Sequence, residues 1–406
     1  MNTETSYIPR PKYTEAITPF IGKQIIKVFT GQRRVGKSYI MIQIADIIKT
    51  ETPEANIIFI NCELEKFRQL KQHIDLLEYV EKNLSKESKN YLFIDEVQEV
   101  NSFQLALRSL LAENKCDIYC TGSNAKMLSG ELATYLSGRY IEIPVHSLSF
   151  SEFLIFHKLD ESFESVLQYL NYGGMPYLVN IGLANDIPFE YIKNVYTTIL
   201  LKDVVMRENI RNVSFLENLV HYLADNVGNL FSAHNISKFL KSQQIAISSQ
   251  VTINYLAALC NAYFIHKVQR TDVNGLKIFE IGEKYYFEDL GLRNSIIGTN
   301  QRKDLHQILE NAVYLHLIQL GYHVSVGKSG NNEIDFVADK KGLRIYIQVC
   351  LQMTEPQTEK REFGNLMAIP DNYPKYIITL NDSMVGQNYK GIIQLNLLEF
   401  LLKNEL

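Results

Sequence analysis

"GQRRVGKS", residues Gly31–Ser38, decides how the first third of the chain folds. It matches G-x-x-x-x-G-K-[ST] at every fixed position. "QIIKVFT" (Gln24–Thr30) ahead of it reads as a buried strand, and "KSYIMIQIADIIKT" (Lys37–Thr50) behind it as a helix. Glycines let the backbone turn its N–H groups toward phosphate oxygens, and a helix N-terminus adds partial positive charge at the same place. Lys37 offers a cation to β- and γ-phosphates, and Ser38 a hydroxyl to Mg2+. Gly31, Gln32, Arg33, Arg34, Val35, Gly36, Lys37, Ser38 and Tyr39 are therefore the expected nucleotide-binding segment. The bland alternative is a Gly-rich turn carrying a surface lysine, and the flanking strand and helix weigh against it.

Around this loop, apolar runs at Gln24–Thr30, Asn56–Asn61, Tyr91–Ile94, Asp117–Thr121 and Tyr140–Val145 alternate with amphipathic stretches at Lys37–Lys49, Leu64–Asn83 and Phe103–Glu113. Near-continuous apolar strands between helices predict a parallel sheet covered on both faces. "YLFIDEVQEV" (Tyr91–Val100) brings Asp95 and Glu96 to a strand end. A carboxylate there suits Mg2+, a hard cation that prefers oxygen ligands, and Glu96 is placed to activate water. "DIYCTGSN" (Asp117–Asn124) ends in small polar residues. If its strand lies between the loop strand and the acidic strand, Ser123 or Asn124 faces the γ-phosphate; otherwise Gly-Ser-Asn is turn chemistry. Arg139, in "YLSGRYIEI", is read either as an arginine that reaches phosphate in its own or a neighbouring subunit or as a salt-bridge residue. Arg207 is a weaker candidate of the same kind.

The chain has 406 residues, room for about two to four domains of roughly 100–200 residues each. Hydrophobic residues are 46% and charged residues 21%, an ordinary globular balance. A net charge of −4 argues against a globally basic nucleic-acid binder but not against a local basic face. Five scattered cysteines without C-x-x-C spacing read as reduced packing residues. "MNTETSYIPRPKY" has no apolar signal core, and no apolar run is long enough to span a membrane, so a cytoplasmic protein is expected.

Farther along, "FSAHNISKFLKSQQIAISSQVTINYLAALCNAYFIHKVQR" (Phe231–Arg270) reads as a helix over Ser232–Leu240, then a second helix after Ser248-Ser249, then a hairpin with Asn274-Gly275 as its turn. From Ser232 to Phe287 six basic residues stand against three acids, a mild excess that suits a DNA backbone. The second helix offers Gln250, Thr252 and Asn254 but no Lys or Arg, so DNA and protein contact stay equally open.

"NNEIDFVADKKGLRIYIQVCLQ" (Asn331–Gln352) reads as two strands joined by a charged turn, after a helix over Gln301–Gly321 that carries Glu310. Metal-dependent nucleases place Asp on one such strand and Glu-x-Lys on the next, with the acids holding Mg2+ and the lysine acting on water. Asp335 fits; Gln348 offers only a neutral carbonyl, and Cys350 does not replace a lysine. Glu310 and Glu333 are the acids that would complete an oxygen cage, with Lys340, Lys341 or Lys360 standing in for the lysine. A degenerate scaffold is expected here; an active nuclease and an unrelated strand pair remain the alternatives.

GQRRVGKS, FIDEVQ, TGSN, LSGRY, "HSLSFSEF" (His146–Phe153), "YGGMP" (Tyr172–Pro176) and "KYYFEDLGLRNSI" (Lys284–Ile296) together resemble the AAA+-type ATPases of bacteria and archaea that carry a C-terminal domain of unknown function with a restriction-endonuclease-like fold. The resemblance spans almost the whole chain. It implies an α/β P-loop domain over residues 1–155, a helical lid over 156–230, a winged-helix module over 231–298 and a nuclease-like α/β domain over 299–406. It implies ATP as nucleotide, with Ser38 and Asp95 as Mg2+ ligands, Lys37, Glu96, Asn124 and Arg139 as catalytic groups, and Ser123 or Asn124 as the first sensor. Three activities follow as expectations: a Mg2+-dependent ATPase controlling its attached modules, a nucleotide-gated DNA- or protein-binding regulator with negligible turnover, and an ATP-fuelled nuclease. DNA, a protein partner and further copies of the chain are the partners to consider.

Overall fold

The computed structural model describes residues 7–125, 133–136, 138–184, 186–231, 236, 238, 248–273, 282–298, 304–330, 332–351, 363–380 and 388–406. Most of the Ser232–Leu240 helix, the Asn274-Gly275 turn and Lys360 lie outside the described residues. The chain divides into two units. One is Met1–His146 with Asn261–Tyr263; the other is Ser147–Cys260 with Phe264–Leu406.

In the first unit five strands form one parallel sheet: β1 (Ile26–Thr30), β2 (Asn56–Asn61), β3 (Asn90–Asp95), β4 (Asp117–Gly122) and β5 (Tyr140–Pro144), in the order β2-β3-β4-β1-β5. Alternate residues of each inner strand feed two separate cores. Val28, Leu92, Ile94, Ile118 and Cys120 pack on one face with Leu76, Leu107 and Leu110. Phe29, Phe93 and Tyr119 pack on the other with Ile40, Met41 and Ile44 of the Lys37–Glu51 helix. Burial on both faces is why these strands read as unbroken apolar runs rather than as alternation.

One expected helix is shorter than its pattern. Leu64–Asn83 divides into a 3-10 turn at Glu65–Phe67 and a helix at His73–Asn83. Gln72 is extended, bridges to Asn101, and donates its N–H to the Asp75 carboxylate, which caps the helix start.

The second unit begins with helices at Phe150–His157, Phe163–Tyr172, Ile187–Thr198 and Val213–Asp225. Eight further strands make a mixed sheet: β6 (Ile265–Asp272), β7 (Glu283–Phe287), β8 (His323–Ser329), β9 (Asn332–Lys340), β10 (Leu343–Cys350), β11 (Lys375–Thr379), β12 (Asn388–Tyr389) and β13 (Ile392–Asn396). Their order is β12-β13-β11-β10-β9-β8-β6-β7. The antiparallel β6–β7 pair is thus continuous with the C-terminal strands, through β6 running parallel to β8.

Signatures that carried no chemistry in the sequence meet in this unit as a hydrogen-bond knot. Asp289 accepts from the Gly174 N–H at 2.7 Å and the Leu292 N–H at 3.0 Å. Asn294 donates to the Leu170 and Asn171 carbonyls, each at 2.9 Å. Ser147 donates its N–H to Glu288 Oε1 at 2.9 Å. A Cβ on Gly291 would lie 2.1 Å from the Tyr172 carbonyl oxygen, so glycine there is a packing requirement. "SLS", "YGG" and "FEDLGLRN" therefore satisfy buried backbone groups where helices close on one another.

Candidate nucleotide site

The parallel sheet sets the site. Thr30 pairs with Gly122, and Asn61 with Asp95, so the loop after β1, the acids after β3 and the polar end of β4 emerge along one edge. β4 does lie between β1 and β3, the condition under which Ser123 and Asn124 join the acids.

Gly31 has φ +140, and a Cβ there would lie 2.1 Å from the Val145 carbonyl oxygen. Gly36 is left-handed at φ 96 and caps the helix that opens at Lys37. Arg34 also takes a positive φ, 72, and is exposed, as is Tyr39. Val35 is fully buried in the core, and Arg33 pairs with Glu63 at 3.1 Å. Lys37 Nζ donates to the Gly31 and Gln32 carbonyls, both at 2.9 Å, which holds the ammonium over the loop. Gln32 is fully buried, and neither atom of its amide has a hydrogen-bond partner.

Asp95 is 3% exposed. It accepts from Thr121 Oγ1 at 2.6 Å and Asn61 Nδ2 at 3.2 Å, and the Ser38 hydroxyl lies near it. Burial raises its pKa, opposed by the Thr121 and Ser38 hydrogen bonds and by Lys37, while the neighbouring Glu96 adds to the rise. Glu96 stands at φ 53, fixed by its N–H donating to Thr121 Oγ1 at 2.8 Å. Its carboxylate accepts from Ser123 Oγ at 3.1 Å and from Gln98 Nε2. Asn124 is buried beside Ser123 in sequence.

Arg139 is not brought to this edge. It immediately precedes β5, and its carbonyl accepts from the Ile26 N–H at 3.0 Å, at the start of β1. Four residues of β1, about 13 Å of extended chain, separate that end from the phosphate loop. The own-subunit reading of Arg139 is therefore corrected: parallel pairing puts the start of β5 at the far end of the sheet. Arg207, in the second unit, pairs with buried Asp203 at 3.4 Å.

Several residues of the site escaped the sequence reading. Thr121 and Asn61 orient Asp95, and Gln98 orients Glu96. Arg10 is 3% exposed; it donates to the Val35 carbonyl at 2.8 Å and the His146 carbonyl at 3.1 Å and lies over the Tyr13 ring. The only signal for Arg10 was its position between two prolines, which says nothing about a loop 25 residues away.

In the second unit Glu310, Glu333, Asp335 and Gln348 do converge. The lysine among them is Lys284 of β7, not Lys340 or Lys341. Lys340 lies over the Tyr322 ring, and Lys341 occupies the β9–β10 turn at φ 51. On the Ser249–Asn261 helix Gln250 and Asn254 are exposed and bonded to each other at 3.1 Å. Thr252 is fully buried, so it is corrected from a contact residue to a core one: it lies on the helix face turned inward. Among the described residues no helix is long and apolar enough to cross a membrane.

The sheet, loop and paired acids define a P-loop nucleotide-binding protein of the AAA class. Residues 23–154 match an AAA domain and residues 163–303 a domain of unknown function, DUF8612. The chain belongs to the same family as an uncharacterized protein of Haemophilus influenzae, 35% identical over 379 residues that span 92% of this chain and 93% of that one. A second relative, the uncharacterized protein MJ1544 of Methanocaldococcus jannaschii, is 31% identical over 88% of this chain and 82% of its own. Among solved structures, the Aeropyrum pernix ORC1 protein in complex with DNA aligns at a TM-score of 0.35 and 9% identity, over 71% of this chain and 92% of that one. AMPPCP-bound DnaA from Aquifex aeolicus aligns at 0.32 and 13%, over 61% and 86%.

Proposed function

We propose that the protein is a Mg2+-dependent ATPase whose nucleotide state controls the modules attached to its first unit. The observation that carries this reading is the closeness of the loop hydroxyl of Ser38 to the buried strand-end carboxylate of Asp95, at the sheet edge where the loop emerges. Those two oxygens fit a hard cation, and the buried, unpartnered amide of Gln32 fits a polar ligand lying in the loop. Ser38 and Asp95 would hold Mg2+, which supplies charge neutralisation to the phosphates. Lys37 turns its ammonium from the loop carbonyls to the β- and γ-phosphates. Glu96 takes the proton of the attacking water, with Ser123 and Asn124 beside it. Arg139, exposed at the far end of its own sheet, acts on a neighbouring copy. The test is saturable ATP binding and phosphate release by the purified chain; Lys37→Ala should abolish both, and wild-type protein that binds no ATP would sink the reading.

A second reading, a nucleotide-gated regulator with negligible turnover, draws on two contacts. Ser123 and Gln98 both donate to Glu96 Oε2, so that oxygen is held by the protein and Oε1 is the oxygen left to take a proton. In this reading residues 156–230 serve as lid, 231–298 as a winged helix and 299–406 as a degenerate nuclease-like domain that contacts DNA or protein. ATP turnover with and without duplex DNA, run beside a gel shift, separates the two. Unchanged rates and no shifted band would remove DNA.

A further inference from the structure

Three carboxylates of the second unit, Glu310 on the Leu305–Gln319 helix and Glu333 and Asp335 on β9, gather round one point. The cation at their centre is a side chain. Lys284 Nζ lies 2.9 Å from Glu310 Oε1, 2.9 Å from Glu333 Oε1 and 3.8 Å from Asp335 Oδ1, and the residue is 2% exposed.

Most of the acids' charge is offset, and each acid is engaged by a side chain or a backbone N–H, without a metal. Arg270 Nη2 stands 3.7 Å from Glu333 Oε2, and His306 Nδ1 stands 4.0 Å from Glu310 Oε2. Lys284 and Arg270 offset two of the three carboxylate charges. Tyr286 donates to Glu310 Oε1 at 2.6 Å, and the Val349 N–H donates to Asp335 Oδ2 at 2.8 Å. Gln348, the natural fourth oxygen, turns its Oε1 to the Asp335 N–H at 3.4 Å. Glu310 also packs against Gly228, where a Cβ would lie 2.6 Å from its Oε2.

We propose that Lys284 is a built-in cation: it fills the acid cluster, excludes a divalent metal, and pins β7 to β9 and to the helix that bears Glu310. Mg2+ requires about six oxygens in octahedral array. It would have to displace a tethered ammonium that three carboxylates hold. Burial opposes the charge on Lys284, but the three acids outweigh it and raise its pKa, so the ammonium stays protonated. The acids that the sequence offered as an oxygen cage thus serve as an ion-pair lock between sheet and helix, and this holds whether or not the first unit hydrolyses ATP.

Mn2+ binding to the nucleotide-free full chain, followed by EPR, tests it. Wild type and Glu333→Gln should bind the same number of ions. Lys284→Met should gain one Mn2+ per chain, and Lys284→Met/Asp335→Asn should lose it again. A wild-type ion that Glu333→Gln removes overturns the proposal, and so does a folded Lys284→Met chain that gains none. Should Lys284→Met fail to fold, the wild-type and Glu333→Gln comparison decides alone.

Discussion

Thr121 Oγ1 donates to Asp95 Oδ1 at 2.6 Å and accepts the Glu96 N–H at 2.8 Å, so one hydroxyl sets both strand-end acids. Thr121→Val keeps the shape and strips both bonds. Leaving buried polar groups without partners costs about 1–3 kcal/mol. Thermal unfolding should show that loss, ATP turnover should fall about tenfold or more, and Thr121→Ser should restore it. A valine variant as active as wild type would show that the hydroxyl does not orient the acids.

Gly31→Ala should be among the most damaging small substitutions in the loop. Its φ of +140 and the Val145 carbonyl oxygen 2.1 Å from an added Cβ leave a side chain no room. The loop must shift, so titration with a fluorescent ATP analogue should show affinity reduced at least tenfold. Gly138→Ala is the control: it has positive φ, but an added Cβ meets nothing within 4 Å.

Glu96→Gln keeps the size and the hydrogen-bonding capacity toward Ser123 while removing the base. ATP affinity should stay within about twofold, and turnover should drop about 10²–10⁴-fold, the usual worth of a positioned general base. Single-turnover phosphate release measures it; equal rates would assign proton transfer to another group.

Asp289 gives a pH signature. Burial pushes its carboxyl up to about 7, against the N–H bonds of Gly174, Leu292 and Gly291. An aspartate in the unfolded chain titrates near about 3.9. The folded state keeps a proton that the unfolded state sheds, so this contribution is complete below about pH 4 and is lost as pH rises to about 7. Asp289→Asn cannot titrate. Urea unfolding at several pH values should show the wild type losing ground to Asp289→Asn across that window.

Arg139 predicts a dependence on concentration. If it serves a neighbour's site, ATP turnover per chain should rise with protein concentration, and Arg139→Ala should flatten that rise. A concentration-independent wild-type rate, unchanged by the substitution, would leave Arg139 a surface residue.

Local features were legible because they are contiguous. Eight successive residues make the phosphate loop, and unbroken apolar runs place β3 and β4 within a two-faced sheet. Spacing also put Glu333 and Asp335 on one strand face, and both do reach the same ammonium. Helix extent was legible only where nothing competed for the backbone; the pull of Asn101 on Gln72 shortened one helix.

The amino-acid sequence by itself determined that this chain holds a phosphate loop, a following acidic strand and a parallel sheet, since each is written in local spacing and in the pattern of apolar residues. Tertiary structure alone decided what meets what. Strand order placed β4 between β1 and β3, and the parallel pairing of β5 with β1 left Arg139 at the opposite end from the loop. It decided that Arg10 clamps Val35, and that the lysine among the C-terminal acids comes from β7, 26 residues before Glu310. A buried charge needs an opposite charge within a few ångströms, and through-space distance, not sequence distance, satisfies that need.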